Sequence, residues 1–218
     1  MKTIANYLIS TSENLRFFAL KVTLCTASAL GLLVGCATPQ APVPKAVYDF
    51  GPSLQAPSLQ AIAAPLPALV LAEMDAPAAL ESTAVVYRLG YADAQQLRPY
   101  TLARWSMPPA QLVRLRVRDA LSSKGSVLST AEGSATWLLK LELDEFSQLF
   151  ESPGSSAGVV RLRATLLRGG AIAAQRSVLA RASAPSQDAA GGVRALTQAT
   201  DDAVQQLGTW VAQTLSQP

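Results

Sequence analysis

A two-layer α+β domain, with a mostly antiparallel sheet and helices packed on one of its faces, is the fold class the sequence predicts. Two observations carry it. In segments 136–146, 159–168 and 171–181 apolar side chains recur at every second position, the period of a strand with one face on a core. At 109–122 and from Val193 to the C-terminus the spacing changes to three- and four-residue steps, the period of a helix. Strands and helices that must each bury one face favour a sheet covered on one side.

Residues 37–46 contain three prolines and no periodicity, and read as a flexible spacer. Tyr48 and Phe50 alternate around Asp49 as a short strand that starts the domain, after which the chain reads as irregular up to residue 66. Leu66–Met74 is apolar, with Pro67 near its start, which suits the beginning of a strand. Ala84–Leu89 is a clearer strand, with Val85, Tyr87 and Leu89 on one face and Val86 and Arg88 on the other. Leu97–Arg104 is another. It runs into Trp105-Ser106-Met107-Pro108-Pro109, where paired prolines stop sheet pairing and open a helix.

That helix spans 109–122. Leu112, Val113, Val117, Ala120 and Leu121 form its apolar face; Arg114 and Arg118 stand four apart on another face, and Arg116 and Asp119 flank it. Ser122–Gly125 end it. In 136–146, Trp137, Leu139, Leu141 and Leu143 share a face opposite Leu138, Lys140, Glu142 and Asp144. Ser152–Ser156 reads as a loop. Val159–Arg168 places Val160, Leu162, Ala164 and Leu166 together, opposite Arg161, Arg163 and Thr165. Gly169-Gly170 turns the chain into Ala171–Arg181, completing an antiparallel meander. Ser183–Gly192 reads as loop. The terminal helix carries Leu196, Ala199, Ala203, Leu207, Trp210 and Thr214 on one stripe. No internal repeat is visible.

Composition excludes several chemistries. The chain has no histidine and two cysteines, so the commonest metal ligand and the usual neutral-pH general base are missing. No metal or cofactor is expected. Asp144-Glu145 and Asp201-Asp202 are adjacent acids, and neighbours on a strand or helix point to different faces, so they read as solvated surface acids and not as a catalytic pair. No glycine run suits a nucleotide. A nucleic-acid partner is not expected, because no concentrated basic face appears. A non-enzymatic role follows. The alternative of a hydrolase acting through carboxylates or serine would need two acids in one cleft.

The N-terminus sets an address. Residues 1–21 carry Lys2, Arg16 and Lys21 against Glu13, and residues 22–35 are apolar and uncharged. This is the export-signal pattern. Fourteen helical residues cover roughly 21 Å, short of the roughly 30 Å hydrocarbon layer, so a permanent span is disfavoured. Leu33-Val34-Gly35-Cys36 resembles the bacterial lipoprotein box. Residues 1–35 then form the signal peptide, Cys36 is the lipid-attachment residue, 36–46 are the lipidated cysteine and linker, and 47–218 are the domain. The competing reading is an ordinary signal or short anchor helix with a chance cysteine. With Cys25 discarded, Cys36 is the last thiol, and modification would remove an unpaired thiol from an oxidising compartment. Removing three basic residues and one acid with the signal leaves 15 basic against 14 acidic, a net +1, so the basic pI mostly reports the signal. Ala37, by the same resemblance, implies the periplasmic face of the outer membrane.

Tyr100-Thr101-Leu102-Ala103-Arg104-Trp105-Ser106-Met107-Pro108-Pro109, leading into a helix with Leu112 and Leu121, resembles the ABC-type transport auxiliary lipoprotein family, which includes the lipoprotein of the paraquat-inducible system. Leu141–Phe146, Val160–Arg168 and the long terminal helix are also similar to it, over roughly 48–215. The resemblance implies an accessory lipoprotein that works with an MCE-domain protein and an inner-membrane ABC permease and ATPase, moving phospholipid or other hydrophobic molecules between membranes. A homo-oligomer is left open. The alternative is a lipoprotein bracing another envelope complex. Tyr100, Trp105, Pro108 and Pro109 are the candidate partner contacts, aromatics on a stiff strand-to-helix junction; the competing role of Trp105 is to plug the end of the core. Arg161 and Arg163 either meet headgroups or an acidic partner or form a solvated face.

Overall fold

The longest strand decides the architecture. In the computed structural model, which describes residues 43–52 and 65–216, eight strands and two helices follow in order: β1 Ala46–Tyr48, β2 Leu66–Asp75, β3 Ala84–Leu89, β4 Asp93–Trp105, α1 Pro109–Ser122, β5 Gly125–Ser129, β6 Trp137–Ser152, β7 Ser155–Arg168, β8 Ala171–Ser183 and α2 Ala189–Leu215. The expected signal segment, Cys36 and the expected linker up to residue 42 lie outside the described residues. One edge of β6 pairs antiparallel with β7 from Trp137↔Arg168 to Ser152↔Ser155. Its other edge is shared. β2 runs parallel to its first part, from Leu69↔Trp137 to Asp75↔Glu142, and β3 runs parallel to its end, from Tyr87↔Gln148 to Leu89↔Phe150. The sheet therefore forks beyond β6: β5 extends one branch, β4 and then β1 extend the other. On the far side β7 and β8 complete the expected meander.

The fold class is the expected one, in a mixed form. The two longest ladders and the β3–β4 pair are antiparallel, while β1–β4, β2–β5, β2–β6 and β3–β6 are parallel. Both helices cover one face, where α2 lies across β7 and β8 and also touches α1.

Helix α1 matches its expected span. Other boundaries move. β6 continues six residues past 146, because its register with β7 shifts by one between Leu143 and Glu145. Odd-numbered residues face the helices before the shift and even-numbered Phe146, Gln148 and Phe150 do so after it, which ends the alternation without ending the strand. The same shift leaves both Asp144 and Glu145 on the outer face, where a regular strand would separate them. The expected loop at 152–156 shrinks to a turn at Pro153-Gly154. Strand β5 follows α1 without having been expected, and β4 begins at Asp93, ahead of Leu97. Gly169 and Gly170, at φ 58° and 88°, adopt the left-handed backbone of a two-residue hairpin turn, as expected.

Helix α2 begins at Ala189, four residues ahead of Val193. The Asp188 carboxylate caps it by accepting from Gly191 N at 2.7 Å. Gly191-Gly192 disguise this turn in the sequence, since glycine weakens a helix signal. Packing accounts for Gly192: a Cβ there would collide with the Gln148 side chain. Gly158 on β7 is equally constrained, because its Cβ would stand 2.5 Å from the Ala195 carbonyl carbon and Leu196 N of α2. Substitution Gly158→Val is expected to cost about 3 kcal/mol through overpacking, read by urea unfolding. Gly154→Ala, whose Cβ meets nothing within 4 Å, is expected to change the midpoint by far less.

Candidate functional site

The Tyr100–Pro109 run ends β4 and opens α1. Tyr100 and Trp105, five residues apart, would face opposite sides of a regular strand. Between Val86↔Pro99 and Ala84↔Arg104, four residues of β4 are set against one of β3. This irregularity turns both rings to the helix side of the sheet. Tyr100 is half-buried. Its hydroxyl donates to Gln148 Oε1 at 2.8 Å, and its ring lies 4.6 Å from that of Tyr87, which meets Phe150 edge-on. The buried Gln148 in turn donates from Nε2 to Ser156 Oγ at 2.8 Å. Burial, with smaller contributions from Tyr87 and Asp188, pushes the Tyr100 hydroxyl up to about 12.

Trp105 is 0% exposed. It packs against Phe50 and Phe146, each at 5.6 Å between ring centroids. Its indole N–H has no hydrogen-bond partner among the described residues, while its backbone N–H donates to Thr83 O at 2.7 Å. The ring plugs the core, the second of its two expected roles, and offers no surface to a partner in this arrangement. Pro108 keeps an extended backbone (φ −52°, ψ 141°) at the helix cap, and Pro109 fills the first helical position, where no N–H is needed. Pro109 is buried; Pro108 and Tyr100 keep part of their surface in solvent.

The residue that ties this region together is Arg116. It stands three and four residues beyond Val113 and Leu112, on the apolar stripe itself and not beside it. Its guanidinium is buried, donates from Nη2 to Phe50 O at 2.8 Å, pairs through Nε with Asp201 Oδ1 of α2 at 3.1 Å, and lies over the Phe50 ring at 5.6 Å. The segment that follows β1, through Phe50 and Gly51, and both helices therefore meet at one cation. Asp201 sits above its ordinary value, because burial outweighs the opposing pull of Arg116, and Asp202 adds to the rise. Stripe position was the signal for Arg116. Gln148 had none, because it follows the register shift.

The expected adjacent acids are engaged separately. Asp144 pairs with Arg163, Glu145 with Arg88, Asp201 with Arg116, and Asp202 accepts from Gln198. Arg163 also pairs with Glu142, on an exposed face that carries Arg161 as well. Among the described residues no group of three or more His, Cys, Asp or Glu is placed to hold a metal, and no helix is long and apolar enough to cross a membrane.

Two outcomes follow from these contacts. Substitution Arg116→Met leaves Asp201 without its partner and is expected to cost about 3 kcal/mol at neutral pH. A carboxyl whose folded value lies above its unfolded one stabilises at acid pH and loses that contribution as pH rises through the folded value. Without Arg116 the Asp201 value rises further, so the variant's denaturation midpoint should fall more steeply than wild type from the carboxylate range toward neutrality. For Tyr100→Phe the expected cost is about 1–2 kcal/mol near pH 7, from the lost bond to Gln148. Wild-type Tyr100 holds its proton more tightly folded, so its contribution is complete below 10.0 and disappears as pH rises toward about 12. The two stability curves should therefore converge across that alkaline window.

Residues 48–208 match the family described as the ABC-type transport auxiliary lipoprotein component. No curated protein matches the sequence. A crystallised Xanthomonas campestris protein is similar in structure at 18% identity, with 81% of this chain and 90% of that chain covered and a TM-score of 0.60. A second crystallised, uncharacterised protein is similar at 13% identity, covering 77% of this chain and 99% of that one, with a TM-score of 0.54. At these identities the likeness shows the fold. The family match runs from Tyr48, the last residue of β1, to Gly208 in α2, taking in β2 to β8, all of α1 and most of α2, and the chain belongs to this family as a non-enzymatic auxiliary lipoprotein.

Proposed function

We propose that the chain serves an ABC/MCE-type intermembrane transport system, holding the end of the transport conduit at the periplasmic face of the outer membrane while phospholipid or another hydrophobic molecule passes. The observation that carries this reading is the family match from residue 48, preceded at a short distance by the lipoprotein box at Leu33–Cys36. The ten residues between Cys36 and Val47 reach at most about 35 Å, enough to keep the domain beside the membrane and not enough to let it leave. Burying one CH₂ is worth about 0.8 kcal/mol, so a two-chain lipid does not cross water readily without a covered route. An anchored domain helps by raising the local concentration of the docking partner. Several acyl chains are needed for a firm hold, as on the lipoproteins that Cys36 and its flank resemble.

In-cell crosslinking tests the reading. Capture of an MCE-domain protein is the expected result. Capture of an unrelated envelope complex, with no MCE-domain protein under conditions of expression, overturns it and favours a bracing role. Substitution Cys36→Ser should move the protein from the membrane to the soluble fraction and abolish its contribution to envelope lipid balance, with the circular dichroism of the domain unchanged.

A further inference from the structure

Among the described residues strand β1 is the edge of its branch of the sheet, pairing with β4 alone, and it is the first element they contain. Its register sets Val47 beside Arg104. Arg104 and Leu102 alternate along β4 with buried Ala103 and Trp105, so they share the face turned away from the helices. Val47 is 51% and Leu102 52% exposed. Lys45, two residues ahead of Val47, is exposed as well. Among the described residues neither Lys45 nor Arg104 makes an ion pair. Of the nearby acids along the chain, Asp49 is turned to its own backbone at Gly51 N. Elsewhere on the outer face Arg163, Arg181 and Arg88 are each matched by a carboxylate, while Lys140 and Arg161 on the middle strands, like Lys45 and Arg104, make no ion pair among the described residues; what sets Lys45 and Arg104 apart is their place beside the linker.

We propose that Lys45, Val47, Leu102 and Arg104 form a membrane-facing patch that sets this edge of the sheet against anionic phospholipid headgroups. The proposal rests on the anchored reading for the location of that membrane. Two aliphatic side chains flanked by unmatched cations suit the boundary between headgroup and acyl chain. Each cation held at an anionic surface raises occupancy roughly fivefold, too little to recruit a free protein. An acyl anchor already holds the domain within a few nanometres of the bilayer, so this small preference suffices to select an orientation. Arg116 grips Phe50 and Gly51, each three residues downstream of Val47 and Tyr48 respectively, so the patch turns with the domain and not as a loose arm.

The test uses the processed protein in vesicles, with one fluorophore at Leu102→Cys or at Leu179→Cys. Leu179 is also 52% exposed but lies on β8, at the opposite edge of the sheet. With phosphatidylglycerol vesicles, headgroup spin labels should quench position 102 roughly threefold or more above position 179. The difference should shrink in high salt and in neutral phosphatidylcholine, and vanish in Lys45→Glu/Arg104→Glu. Equal quenching at the two positions, or quenching unchanged by the double substitution, overturns the proposal. Intact mass of the same samples reads acylation independently. Where it finds none, Cys36→Ser with an N-terminal hexahistidine is held on the same vesicles by nickel-chelating lipid and the two positions are compared again, which separates failure of the anchor from failure of the patch.

Discussion

The one-residue register shift between Leu143 and Glu145 in β6 is the constraint on which the rest of the domain depends. A strand without it would carry the odd-numbered side chains inward along its whole length, and Glu145 and Ser147 would replace Phe146 and Gln148 under the helices. A carboxylate forced into that layer without a partner would cost several kcal/mol or lose its charge. With the shift, Phe146 meets Trp105 and Phe50, and Gln148 receives Tyr100 and reaches Ser156. The close approach of α2 follows, since Gln148 occupies the space that any side chain at position 192 would need. The fork of the sheet belongs to the same place: β2 leaves the edge of β6 at Glu142 and β3 takes it over at Gln148.

Arg116 is the polar counterpart of that aromatic centre. A buried ion pair is weak grounds for stability, because desolvation of the two charges offsets much of their attraction. Specificity is the better account here. The planar guanidinium can donate in several directions at once, and it uses them to reach the backbone of the segment after β1 and the carboxylate of α2. An apolar residue of similar length could fill the volume but could not fix where the first strand enters. The unmet N–H of Trp105, a few ångströms from the same cluster, is the cost of placing an indole where an all-carbon ring would have packed without it.

Much of this fold was legible because the strongest elements obey one period. The helix at 109–122 and the alternation in β6 through Leu143, in β7 and in β8 each repeat a simple spacing, and the Gly-Gly turn states its own backbone. What escaped shares one physical cause, a local break in the period. The register shift hid the second half of β6, Gly191-Gly192 hid the first turn of α2, and the irregular pairing of β4 concealed that Tyr100 and Trp105 face the same way. The candidate site suffered most. Aromatic character at a stiff junction argues equally for an interface and for a core, and only burial separates them: it assigns Trp105 to the core and leaves part of Tyr100 and Pro108 at the surface. Arg116 was readable in principle, from its place on the stripe, but a charged residue there is outvoted by the expectation that arginine faces water.

A tether fixes distance and leaves orientation free. On the anchored reading proposed above, acyl groups at Cys36 would confine the domain to a thin layer beside the bilayer, and a domain tumbling in that layer would present its docking surface only part of the time. Orientation requires a second contact, near the point where the chain enters the fold and rigidly joined to the remainder. The structure supplies the rigid join: β1 is only three residues long, yet the ring of Phe50 is seated among Trp105 and Phe146 and its carbonyl is held by Arg116, which also holds α2. A contact made at Val47 and Arg104 would therefore set the angle of both helices and of the far edge of the sheet. An auxiliary protein can act by geometry alone, and a clamp of this kind would let a short entry strand control that geometry.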